Sequence, residues 1–141
     1  MIGAIIAKKK VRSSFDSLNW RNLDAFLANW SEAATYVYPG NLSVSGEFEG
    51  KESIKEWYEK FMEQFPQAIF DLKNICVKKM CPVSLRTNSV IVEWDGLFTN
   101  RDRKEFRNSG VTVVNIGKGK AIKVHQYIFN AEIDRRAWGE T

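Results

Sequence analysis

"KESIKEWYEKFMEQFPQAIFDLKNICVKK" occupies residues 51–79, and its change of rhythm at Pro66 decides the fold. Before the proline, Ile54, Trp57, Tyr58, Phe61, Met62 and Phe65 recur at helical spacing and form one apolar stripe. Gly50 precedes this helix and Pro66 stops it. After the proline the apolar residues alternate, the period of a half-buried strand.

The same period continues downstream in "SVIVEWDGLF" (89–98), "EFRNSGVTVVNI" (105–116) and "AIKVHQYIF" (121–129). The connections "MCPVSLRTN", "TNRDRK" and "GKGK" are short, so these four strands form an antiparallel meander. Upstream, residues 2–18 carry Ile2, Ile5, Ile6, Phe15 and Leu18 at roughly helical spacing. "NLDAFLANW" (22–30) predicts a second helix with Asn22 as its N-cap. "ATYVYPG" (34–40) is a short strand closed by Pro39-Gly40, and "NLSVSGEFEG" (41–50) reads as a loop. Helices first and sheet last define an α+β chain. A long sheet of this kind curls around the third helix and makes a concave face.

The chain has 141 residues, 44% of them hydrophobic and 27% charged, which suits one domain spanning 1–141 with a substantial core. A net charge of +4 with scattered basic residues gives no nucleic-acid footprint. "KKK" at 8–10 reads as a solvated helix face. No segment approaches the roughly 20 apolar residues of a membrane span, and "MIGAIIA" is too short, with its charges on the wrong side, for a signal peptide. Cys76 and Cys81 form no metal-ligand pattern, so neither metal nor cofactor is expected, and two isolated cysteines suit the cytoplasm. "IGKGKA" (116–121) has lysines and glycines but lacks the spacing and following helix of a phosphate loop.

Strand parity sorts the polar residues into sets. Glu93 and Asp95 share one side of their strand; Val90, Val92, Trp94 and Phe98 share the other. Asn108 and Thr112 share a side, as do His125 and Tyr127. Periodicity alone leaves open which set faces the concavity. His125, the chain's one histidine, is on this reading as readily a packing residue as a functional one, and Glu93 and Asp95 are as readily partners of strand cations.

The order of elements, with "LNWRNLDAFLANWSEAATYVYPG", "FEGKESIKEWYEKF" and "GKAIKVHQYIF", resembles the SnoaL-like polyketide cyclase and ketosteroid isomerase branch of the nuclear transport factor 2-like superfamily. The resemblance runs from about residue 4 to residue 130. It implies a cone-shaped curved antiparallel sheet wrapped around three N-terminal helices, with a pocket inside. In ketosteroid isomerases the residue before the proline ending the first strand is an aspartate base; here it is Tyr38. The isomerase tyrosine and second acid fall near Ser14 and Thr112. In SnoaL-type cyclases the acid/base pair falls near Thr112 and Tyr127, and a further histidine falls on His125. In limonene epoxide hydrolases an arginine and two aspartates fall on Glu93, Asp95 and Tyr127. Trp57 and Tyr58 match the aromatic pair that lines the isomerase pocket.

The resemblance implies that His125, Tyr127, Glu93, Asp95 and Thr112 point into the cone. It therefore implies a catalytic set of Asp95, His125, Tyr127 and Tyr38, and a ligand-binding set of Trp57, Tyr58, Phe61, Glu93, Asn108 and Thr112. In such a pocket two nearby carboxylates titrate apart, one holding its proton near neutrality. The expected chemistry is isomerisation, cyclisation or epoxide hydrolysis of a small, mainly apolar, aromatic or alicyclic molecule. The alternative is a ligand-binding or assembly domain of the same fold. With the mixed sets inside, Val90, Val92, Trp94 and Phe98, beside Val111 and Val113, face outward and call for a homodimer.

Overall fold

The computed structural model describes residues 2–78 and 87–141. The expected "MCPVSLRTN" turn falls largely outside the described residues, as does Cys81 of the cysteine pair. The order is α1 (Ile2–Asn19), α2 (Leu23–Ala28), β1 (Trp30–Tyr38), β2 (Gly46–Glu49), α3 (Lys51–Gln64), β3 (Gln67–Val77), β4 (Thr87–Thr99), β5 (Glu105–Gly117), β6 (Lys120–Ile128) and α4 (Ala131–Ala137). The α+β reading holds: the strands form one curved six-stranded sheet in the order β2-β1-β6-β5-β4-β3, with α3 falling between β2 and β3 in the chain. The meander β3 to β6 is antiparallel throughout, and β1 joins β6 in parallel.

Three details differ from the sequence expectation. On α1 the buried stripe is Ala4, Ala7, Val11, Phe15 and Leu18, while Ile5 and Ile6 face water. A helix can bury only one stripe, and the longer one wins. α2 ends at Ala28, so Trp30 opens a longer β1. The stretch read as a loop contains β2, which pairs antiparallel with the end of β1. The Asn22 cap is present, its side chain accepting from the Ala25 amide at 3.1 Å.

α3 buries Ile54, Trp57, Tyr58 and Phe61 against the sheet. Arg21 closes its C-terminus, donating from the guanidinium to the carbonyls of Phe65 and Met62 at 3.1 and 2.9 Å. Those carbonyls would otherwise lack partners at a helix end. The interior is a continuous aromatic cluster in which Tyr36, Tyr38, Trp57 and Tyr58 sit with ring centroids about 5 Å apart.

Sheet register overturns the expected facing of β4 and β6. Trp94 pairs with Gly110 and Val92 with Thr112, so the Thr112 side of β5 shares its face with Val90, Val92, Trp94 and Phe98. All four are buried inside the cone, and Glu93 and Asp95 lie on the outer face. This arrangement puts the larger apolar area in the core, as burial demands. Glycine makes it sterically feasible: a Cβ at Gly110 would stand 2.6 Å from the Trp94 ring.

The β5–β6 hairpin turns through Lys118 and Gly119, both with positive φ. Gly117 pairs with Lys120 and Ile116 with Ala121, a register that would set His125 opposite Thr112. A bulge follows, and from Asn115–Lys123 onward the pairing is shifted by one. Thr112 therefore meets Gln126, and His125 and Tyr127 turn outward. One extra residue reverses the facing of everything beyond it.

Candidate functional site

Two small cavities lie among the described residues of the cone. They lie toward opposite ends of β1, β5 and β6 and share Tyr58 and Gln126 as a common wall. The first is capped by α4. Its walls are rings, among them Tyr38, Trp57, Phe61, Trp94 and Trp138, with Asn108, Gln126 and Asp134 as polar members. Its volume is about 40 Å3, room for about three waters.

Asp134 supplies a carboxyl group to this cavity. It projects from α4, whose N-cap Asn130 accepts from the Ile133 amide at 3.0 Å. The Tyr38 hydroxyl donates to Asp134 Oδ1 at 2.7 Å, and the Trp138 indole donates to the Tyr38 oxygen at 3.1 Å. Burial pushes the Asp134 carboxyl up to about 6, against the lowering effect of the Tyr38 and Trp138 hydrogen bonds. Burial and the carboxylate beside it hold Tyr38 well above the ordinary tyrosine value, so its hydroxyl stays a donor. The result is a chain Trp138–Tyr38–Asp134 ending in a carboxylate that exchanges its proton close to neutrality.

α4 is held down on several sides. Gln64 and Asn100 donate to the Ala137 carbonyl at 2.9 and 3.3 Å. The Glu140 carboxylate accepts from the Ser43 amide and hydroxyl at 3.0 and 2.7 Å. Asn108 grips the start of the helix, donating to the Asn130 carbonyl at 2.9 Å and accepting from the Asn130 amide at 3.2 Å. Trp138 fills the cone mouth, with ring centroids 5.1 Å from Phe65 and 5.7 Å from Trp57.

Of the residues expected at the site, Tyr38, Trp57, Phe61 and Asn108 line this first cavity, and Tyr58 lines both. Thr112 lines the second, its hydroxyl accepting from the Trp94 indole at 2.9 Å and donating to Gln126 Oε1 at 2.5 Å. Four expectations are corrected. Asp95 is exposed on the outer face, accepting from Ser109 at 2.6 Å with Lys73 at 3.9 Å. Glu93 accepts from Asn74 at 2.6 Å on that face. His125 and Tyr127 stack on each other outside the cone, centroids 4.3 Å apart and planes 9° apart. Burial, with the Lys123 ammonium near it, lowers the His125 pKa. The supposed convergence of His125, Tyr127 and Asp95 with Tyr38 does not occur.

Sequence reasoning missed Asp134 because α4 spans only seven residues, too few for a periodic signal. The usable signal was end chemistry: Asn130 as a cap, Glu132 and Asp134 in the first turn, Arg135 and Arg136 in the last.

A family model described as "SnoaL-like domain" matches residues 11–125. No curated protein sequence matches the chain significantly. Among solved structures, Bal32a from a soil-derived mobile gene cassette is 16% identical, with a TM-score of 0.84, covering 96% of this chain and 98% of its own. TerC, co-crystallised with polyporic acid, is 14% identical at a TM-score of 0.79, with 96% and 99% covered. A proposed polyketide cyclase of Pseudomonas putida is 17% identical at 0.64, with 90% and 93% covered. Identities this low establish the shared fold alone. No described helix is long and apolar enough to cross a membrane.

Proposed function

The chain belongs to the SnoaL-like domain family, and from that premise we propose that it is an enzyme performing general acid–base chemistry on a small, mainly apolar ring compound. The reaction is of isomerase, cyclase or hydrolase type, and its seat is the cavity beneath α4. One observation carries the reading: Asp134, a carboxyl raised to about 6, is joined to the buried Tyr38 hydroxyl at the edge of an aromatic cavity. A base is most useful when its pKa lies near the working pH, because it is then both ionised and basic. In this role Asp134 takes a proton from a carbon next to a carbonyl, or from a water that attacks the ring. Tyr38 holds the carboxylate by donating to it. Trp57 and Phe61, parallel to within 12°, offer faces for a planar ligand. Polyporic acid in the TerC crystal supports a small-molecule use of this fold.

The cavity as it stands is smaller than a ring ligand needs, so Trp138 must yield when one enters. That same filling favours a second reading, a ligand-binding or assembly module without turnover. We further infer pairing of two copies through the outer sheet face, and a cytoplasmic setting from the isolated cysteines.

The test is deuterium exchange at C1 of 2-tetralone in D2O, followed by proton NMR. The wild type accelerates exchange over buffer, and Asp134→Asn removes about 100-fold or more of that acceleration. Equal rates for the two proteins would defeat the assignment. Saturable quenching of tryptophan fluorescence without exchange would favour the binding module.

A further inference from the structure

Two lysine-bearing stretches that have no part in the site above meet in the structure. The last lysine of "KKK" (8–10) reaches across to the "IGKGKA" hairpin (116–121), the Lys10 ammonium donating to the Gly119 carbonyl at 3.0 Å. They meet at the mouth of the second cavity, far along the strands from Asp134.

This cavity has a volume of about 50 Å3, room for about four waters, the space of a short alkyl chain. Its body is apolar, walled by Phe15, Leu18, Phe26, Trp30, Val114 and Val124. Its far wall is polar but already satisfied, since Trp94, Thr112 and Gln126 spend their groups on one another. Its outer members are different. Lys10 and Gly119 are exposed, Ser14 and Asn29 half-buried, and Asn29 donates to the Ser14 oxygen at 3.4 Å. That bond leaves the Ser14 proton available. The ammonium has three protons and spends one on Gly119. Among the described residues, Lys10 is the only charged one lining the cavity. Lys118 and Lys120 flank Gly119 on the same hairpin. An apolar chamber whose mouth offers donors, positive charge and no carboxylate is complementary to an anion with a small greasy tail.

We propose that the second cavity is a binding site for small carboxylic acids with a short alkyl tail. The tail lies among Phe15, Phe26 and Trp30. The carboxylate sits at the mouth, accepting from the Lys10 ammonium and the Ser14 hydroxyl. No covalent step is involved, and the proposal stands whether or not Asp134 is a catalytic base.

The probes are butyrate and its neutral isostere butyramide, titrated into the full chain and followed by the indole N–H signals of the tryptophans. The two cavities have different reporters: Trp30 for the second and Trp138 for the first. The expected result is a shift at Trp30, with butyrate binding about fivefold or more tighter than the amide, the scale of a partly exposed charge-assisted contact. Lys10→Met, an exposed substitution that leaves the core untouched, brings the two probes within about twofold and keeps the amide's affinity. Absence of binding of either probe at millimolar concentration would overturn the proposal. So would a shift confined to Trp138, equal affinities in the wild type, or a carboxylate preference that survives Lys10→Met.

Discussion

Asp134 links the chemistry of one residue to the stability of the chain. Its pKa in the fold, about 6, lies above the carboxyl's ordinary 3.8, so the native state binds this proton more tightly than the unfolded state does. The sign follows: its stabilising contribution is complete below about pH 4 and is lost as pH rises through about 6, at a cost of up to about 3 kcal/mol. Urea unfolding of wild type and Asp134→Asn across pH 4 to 8 should therefore show the variant gaining relative to the wild type over that window, then holding a constant difference. A constant difference across the whole range would mean that the carboxyl titrates normally. At this scale the sequence was partly legible. Tyr38 could be singled out because a proline follows it and marks the strand end. Its partner could not, because nothing local connects residue 38 to residue 134.

At the scale of elements, legibility follows the length of the pattern. α3 and the four meander strands carry their period over enough residues to be read directly. Facing was harder, because it depends on register. The bulge in β6 moves Gln126 into the cone and His125 out of it, and no alternation pattern announces an extra residue. Gly96 on β4 and Gly110 on β5 were the overlooked clue. A glycine beside or opposite a tryptophan marks the side on which a large ring needs room, and that side is the core. The corrected facing also changes the expected interface. The Trp94 row is interior, and the outer face instead exposes Ile69, Ile91, Tyr127 and Phe129, the last two at 47% and 60%. Val111 and Val113 lie between Tyr127 or His125 on β6 and Glu93 or Ile91 on β4. The proposed pairing of two copies would bury this surface. Sedimentation at micromolar concentration should give a dimer for the wild type and a folded monomer for Tyr127→Asp. A wild-type monomer at every concentration would reject pairing through this face.

At the scale of the molecule, the cone is an aromatic shell closed at one end by α4. Burial of Asp134 raises its pKa, the hydrogen bond from Tyr38 aims it, and the surrounding rings keep water few. The fold was legible because element order is a global property of the chain, carried by every strand and helix together. The site was not, because its acid comes from a short helix that meets β1 only in three dimensions. The central claim is that this carboxyl works as a base in the intact protein. The most direct measurement is the pH dependence of 2-tetralone deuteration, taken as kcat/KM, between pH 4.5 and 8. A base with a free-enzyme pKa of about 6 predicts a rate that rises through about pH 6 and then reaches a plateau. A rate flat across that range, or one that climbs with hydroxide and never levels, would contradict it.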